Sequence, residues 1–242
     1  MQAQADGMKS LYRIGGTAAL IAVIIFRRYF AAEMMAFNGF GIFDVPPKEP
    51  VTALEWFTLF QGNKFVGLVL LGLFDLVNYA LVGLIFLALY AALRKSNKSA
   101  MGLAIILSMV GISVYFASNQ ALSFLYLSQQ YAAVTSDAQR SIYLAAGEAL
   151  LANEHGTGMY ISLFLVLLAG LIISIIMLQS DIFNNVTAWT GILANIFGLA
   201  YFIALVFAPT VSWLPPTISA PFRITWYVMI AIKLFKLAKL EN

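Results

Sequence analysis

Six long apolar stretches constrain this 242-residue chain more than any other feature. A helix needs about 20 mostly apolar residues to cross the ~30 Å hydrocarbon core of a bilayer. Stretches of that kind run over about 11–32, 65–93, 100–127, 159–178, 188–208 and 221–240. In lipid, each spanning segment must satisfy its own backbone hydrogen bonds, which leaves helices or closed barrels. Barrel strands alternate apolar and polar residues over segments of about 10, and these stretches do not alternate. The expected fold class is therefore all-α: a polytopic membrane helical bundle with six transmembrane helices, taken as a single transmembrane domain over 1–242. Composition agrees, with 62% hydrophobic and 10% charged residues, against roughly 45–50% and 25% in soluble domains. That excludes a soluble globular enzyme, a disordered chain and a nucleic-acid binder that relies on a basic surface. The formal charge of +3 suits anionic lipid headgroups better than DNA. Membrane lipids are the expected partners, and assembly into a homo-oligomer or a larger membrane complex stays open.

The residue inventory narrows the chemistry further. With no cysteine, disulfides, thiolate metal sites and cysteine catalysis are out. A single histidine, His155, leaves no multi-histidine metal site and no paired haem ligands, and no cofactor is expected. The first apolar run is followed at once by Arg27-Arg28-Tyr29-Phe30 rather than by a small-residue cleavage site, so it reads as a retained span rather than a signal peptide.

The connections differ in length. Arg94 to Lys98 is a tight basic turn, and Gln179 to Asn185 is short and polar. Ala36 to Lys64 is long and holds Pro46, Pro47 and Pro50, then Trp56 and Phe57, which suit a membrane interface. Ser128 to Gly158 is also long. Within it, Ser136 and Asp137 can start a short amphipathic helix that ends near Asn153, before Gly156 and Gly158. Trp213-Leu214-Pro215-Pro216 reads as an aromatic-belt loop, and Pro221 as the first turn of the last span. An even number of spans puts both termini on one side. That side then carries eight Lys/Arg against six, with the Arg94/Lys95/Lys98 turn and Lys233, Lys236 and Lys239 dominating. The positive-inside rule predicts N-in and C-in.

Polar side chains inside the spans each need a reason, because a charge there costs at least ~2.5–3.5 kcal/mol on insertion scales. Asp75 falls near the middle of the 65–93 stretch, with Asn78 one turn on. Asn119 and Gln120 lie in the outer half of the third span, Arg28 at the outer end of the first, and Arg223 at the outer start of the sixth. Together these six are the candidate ligand-binding residues, grouped in a polar cavity that opens outward. The competing reading is structural: Asp75 pairs with Arg28 or Arg223, and the amides make interhelical hydrogen bonds of about 0.6 kcal/mol each. Glu148, Glu154 and His155 form a weaker metal candidate, since nothing in their spacing forces them to converge. Asn195, between Gly191 and Gly198, reads as packing.

Several stretches carry a family resemblance: Leu11-Tyr12-Arg13-Ile14-Gly15-Gly16, Leu89-Tyr90-Ala91-Ala92-Leu93-Arg94, His155 with Gly158, Gly191, and Trp226 to Leu237. In these the chain resembles a family of small six-span bacterial membrane proteins known only as a domain of unknown function. The resemblance implies a bacterial plasma-membrane protein and supplies no reaction.

Three classes of function follow. First is a non-catalytic binding or accessory membrane protein that holds a lipid-like or small amphipathic ligand in the outward cavity. Second is a small-solute or proton-coupled transporter that uses Asp75. Third is an intramembrane enzyme or metal site at Glu148, Glu154 and His155.

Overall fold

The structure, a computed structural model, describes residues 2–26, 48–154 and 156–240. Among these residues there is no strand. In chain order the helices are α1 (Gln2–Phe26), α2 (Ala53–Gly62), α3 (Lys64–Leu70), α4 (Leu73–Leu93), α5 (Lys98–Ser118), α6 (Ala121–Ala133), α7 (Asp137–Glu154), α8 (Thr157–Leu178), α9 (Asn185–Phe207) and α10 (Leu214–Leu240). A 3-10 turn, Pro209–Val211, precedes α10. Six helical stretches are long and apolar enough to cross a membrane: Gly7–Ile25, Leu73–Leu93, Lys98–Ala133, Asp137–Leu178, Asn185–Phe207 and Pro209–Leu240. The all-α six-span bundle expected from the sequence is thus the fold.

Short polar side chains decide where many of these helices start, because a first turn leaves backbone N–H groups without partners. Thr52 and Glu55 make a reciprocal capping box at α2. Asn63 ends α2 and caps α3 through Val66 N–H at 3.1 Å. Asn97 caps α5 at Ala100 N–H, 3.0 Å, and Asn184 caps α9 at Thr187 N–H, 2.9 Å. The helix over 137–154 arises where Ser136/Asp137 announced it.

Two of the expected spans prove to be interrupted. The 65–93 stretch breaks at Leu71-Gly72 into α3 and α4, and the helix after Lys98 breaks at Asn119-Gln120 into α5 and α6. Physical length is the reason. A 30-residue helix over 64–93 would reach about 45 Å and a 36-residue one over 98–133 about 54 Å, well beyond the ~30 Å core. The 21-residue α4 and α5 each suffice alone. Pro221 is likewise not a first-turn residue, since α10 begins seven residues earlier at Leu214 and carries it inside. The proposed end of the first span, 27–32, lies outside the described residues.

By backbone proximity the chain divides into two compact units. The first contains Met1–Phe26, Asn78–Ser113 and Ile161–Asn242. In it α10 packs against both α1 and α9, around a core that includes Phe86, Leu89, Ile173, Met177, Trp226, Ile230 and Leu234. Helices surrounded by lipid gain nothing from burying apolar surface against one another, so close packing through small residues holds them together. Gly191 on α9 shows this: a Cβ there would collide with Ser174 Oγ and Trp226 Nε1. Gly170 on α8 does the same for Asn195, whose Oδ1 would lie 2.6 Å from the added atom.

The second unit contains Arg27–Val77 and Val114–Tyr160. Here α2, α6 and α7 pack on one another, with α3 against α2 and α6. Trp56, Phe57, Phe60, Leu71, Ala121 and Phe124 form the buried centre. Ring centroids stand 5.8 Å apart for Phe57 and Phe124, and 5.3 Å for Phe57 and Tyr131. Trp56 and Phe57, expected at a membrane interface, are 3% and 0% exposed, packed into this centre. Their α2 is amphipathic and turns its aromatic face onto α6. Trp213 is 63% exposed.

Adding a methyl at Gly191 should cost about 1–3 kcal/mol through forced overpacking, read as a lowered unfolding midpoint of Gly191→Ala in detergent. Gly102→Ala, inside α5 with nothing within 4 Å of the added carbon, should not lower the midpoint and should raise it slightly, since alanine is favoured over glycine in a helix by about 0.5–1 kcal/mol. At α2, the N–H groups of Val51 and Thr52 donate to Glu55 at 2.7 and 3.1 Å and hold its pKa below the usual 4.5. A carboxylate depressed on folding stabilises the protein above its unfolded pKa and loses that effect as pH falls through the folded one. Wild type should therefore lose more stability than Glu55→Gln on acidification through the carboxylate range, and superimposable acid limbs would contradict this.

Candidate functional site

The break between α3 and α4 is built on one residue. Gly72 has φ +98°, a left-handed conformation that a side chain disfavours. Its carbonyl accepts the N–H groups of Asp75 and Leu76, both at 3.1 Å, and so starts α4. Asp75 therefore stands in the first turn of α4, where the unpaired N–H groups and the helix dipole favour a negative charge. It is the third residue of a 21-residue span, not the middle of a longer one.

The second break meets the first through Asn119. Its Oδ1 accepts Ala121 N–H at 3.2 Å, opening α6. Its Nδ2 donates, at long distances, to the Leu71 carbonyl (3.5 Å), the Gly72 carbonyl (3.4 Å) and the Tyr115 hydroxyl (3.4 Å). A helix interruption frees backbone groups that hydrocarbon cannot satisfy, and one amide side chain here serves both interruptions. A carbon added at Gly72 would sit 2.8 Å from Asn119 Nδ2, 3.2 Å from the Tyr115 hydroxyl and 3.6 Å from Asp75 Oδ2. The carboxylate, the phenol and the amide thus converge on the empty side of a glycine. Tyr115 is 4% exposed.

Of the six predicted binding residues, Asp75 and Asn119 are brought together in this way. Gln120 turns back on its own chain, donating to the Ser118 carbonyl at 3.0 Å. Arg28 lies outside the described residues. Asn78 and Arg223 belong to the first unit. Among the described residues Asn78 Oδ1 is buried with no hydrogen-bond partner. Arg223 donates through Nη2 to the Ala194 carbonyl and to Ser219 Oγ, both at 3.4 Å, and is hydrogen-bonded to the Tyr227 hydroxyl. Ser219 itself donates to the Ala194 carbonyl at 2.7 Å.

Glu148, one of the three metal candidates, accepts the Ala53 N–H at 2.8 Å and so caps α2 from α7. Beside it Gly147 lies against Ala53 and Phe57, with a built Cβ 2.7 and 2.9 Å from their side chains. His155 lies outside the described residues, and among the described ones no three His, Cys, Asp or Glu gather as a metal would need.

Gly72 and Tyr115 are the partners that reading polar residues alone passed over. The available signal was surplus length: both stretches exceed one bilayer crossing, and each carries its glycine or amides where the excess begins. Gly72→Ala should cost about 1–2 kcal/mol from the left-handed backbone alone, measured as thermal stability of the purified protein. Asn119→Leu should destabilise as well, since it strands the break carbonyls. An unchanged midpoint in both would show that the breaks do not depend on these contacts.

Comparison with known proteins returns no match among curated proteins and none among solved structures. A family match covers residues 52–234, about three quarters of the chain, and includes the quoted Leu89–Arg94, Gly158 and Gly191 stretches but not the opening Leu11–Gly16. On that match the chain belongs to the family described as Domain of unknown function (DUF4386).

Proposed function

We propose that this membrane protein is a proton-coupled carrier of a small solute, with Asp75 as the group that takes up and releases the proton. One observation carries the reading: a carboxylate, a buried phenol and an amide meet at Gly72, where two interrupted helices are joined by the Asn119 side chain. Interrupted helices are a recurring device for binding sites in transporters, because their ends offer unpaired carbonyls and N–H groups that continuous helices do not. Ionised, Asp75 accepts hydrogen bonds only; protonated, it also donates. The hydrogen bonding at the break therefore changes with each proton. The Asn119 contacts to Leu71 and Gly72 are 3.4–3.5 Å long, weak enough to exchange partners.

The basic turn Arg94-Lys95-Ser96-Asn97-Lys98 and the C-terminal lysines favour termini on the cytoplasmic side of a bacterial plasma membrane. The amphipathic-ligand reading rests on six polar residues sharing one cavity; the Asp75–Asn119 grouping at Gly72 favours the carrier reading. The enzyme reading loses Glu148 to helix capping.

The test is proton uptake by proteoliposomes on addition of each member of a panel of small solutes under an imposed potassium-diffusion potential, followed with an internal pH dye. Wild type should acidify the lumen faster than protein-free liposomes, and Asp75→Asn should fall to the protein-free rate while keeping its helicity. Undiminished uptake by folded Asp75→Asn would reject the proposal.

A further inference from the structure

Six exposed cations gather at one end of the first unit. Arg13 stands on α1, Arg94, Lys95 and Lys98 at the turn from α4 into α5, and Lys236 and Lys239 near the end of α10. Glycine contacts show how near these elements come. A Cβ on Gly15 would collide with Ala88 Cβ and lie 3.2 Å from Leu234 Cδ1, and one on Gly16 would lie 3.1 Å from the Phe235 ring. Helices α1, α4 and α10 therefore meet at the level of residues 15, 88 and 234. With spans that alternate in direction, α1 begins at the end where α4 and α10 finish. At about 1.5 Å per helical residue, Arg13 and Lys236 lie about 3 Å beyond that level, and Arg94 and Lys239 about 8–9 Å beyond it. The segments at this end carry eight basic residues, Lys9 and Lys233 included, against the acidic Asp6, Asp181 and Glu241.

We infer that this basic end is a binding surface for the phosphate groups of anionic phospholipids, shared by α1, the α4–α5 turn and α10. What stands between the cations identifies the partner as lipid rather than a soluble acidic protein. The exposed stripe of α10 runs Ile232, Lys236, Lys239, Leu240, with the two apolar residues 51% and 80% exposed, and Arg13 is followed by the exposed Ile14. Charges interleaved with bare apolar side chains fit the depth at which acyl chains give way to headgroups, where a long stem lies in the chains and its charge meets phosphate. The positive-inside rule concerns which side the loops take; a surface shared by three packed helices adds selective lipid binding in the folded protein. The surface is independent of Asp75 and of the carrier reading.

Delipidated full-length protein is titrated with phosphatidylglycerol and with phosphatidylcholine, and bound lipids are counted by native mass spectrometry. Phosphatidylglycerol should bind about tenfold more tightly, and salt should weaken that preference because the charges are exposed. Joint replacement of Arg94, Lys95 and Lys98 by Gln should reduce the preference several-fold, as should Lys236→Gln with Lys239→Gln. Lys48→Gln with Lys64→Gln removes the same charge from the second unit and should leave the preference intact. Phosphatidylglycerol with a photoreactive headgroup should label the wild-type protein within 9–16, 94–98 or 232–240, a readout that does not depend on any variant folding. Equal affinities for the two lipids in wild type, a preference reduced as much by the Lys48 and Lys64 replacements, or labelling confined to the second unit would each overturn the inference.

Discussion

A backbone amide or carbonyl without a partner costs several kcal/mol in hydrocarbon, and that penalty governs this chain. Most of it is met by regular helices. At Gly72 and Asn119 the helices stop, and the released groups must be satisfied by something else. Asn119 does this with one side chain, accepting from Ala121 at the start of α6 and donating to the Leu71 and Gly72 carbonyls before α4. The same residue type caps α3, α5 and α9 through Asn63, Asn97 and Asn184. Asparagine is how this chain turns an apolar sequence into helices of defined length. Asp75 enters the account because the helix start created at Gly72 stabilises a negative charge in its first turn.

The two units reach compactness by different physics. In the first, glycines admit neighbouring helices to van der Waals distance, and Gly15, Gly170 and Gly191 could each carry a side chain only by displacing atoms of a facing helix. In the second, short helices bury aromatic rings against one another, and a carboxylate from α7 caps α2. The first resembles packing in lipid, where close approach is the main source of attraction. The second resembles a small soluble core, in which aromatic area is removed from water.

Much of the architecture was legible in the sequence. Long apolar runs announced six spans, and Ser136-Asp137 announced α7. The interruptions were less visible because Gly72 and Asn119-Gln120 carry little contrast inside apolar surroundings, and polar residues within a span read more readily as a functional face than as a helix end. Surplus length was the discriminating quantity. The site was half legible. Asp75 and Asn119 stood out as costly polar groups, whereas Tyr115, inside the 100–127 stretch, had nothing in its sequence setting to mark it, and the role of Gly72 depends on a backbone angle that no spacing rule reveals.

The central claim is that the carboxyl group of Asp75 changes protonation in the membrane-bound protein, and infrared difference spectroscopy across the acid-to-neutral range tests it most directly. The account predicts a protonated-carboxyl band in reconstituted wild type that appears on acidification and is missing from Asp75→Asn. Identical difference spectra for the two proteins would contradict it and leave the Gly72 junction as a structural clasp alone.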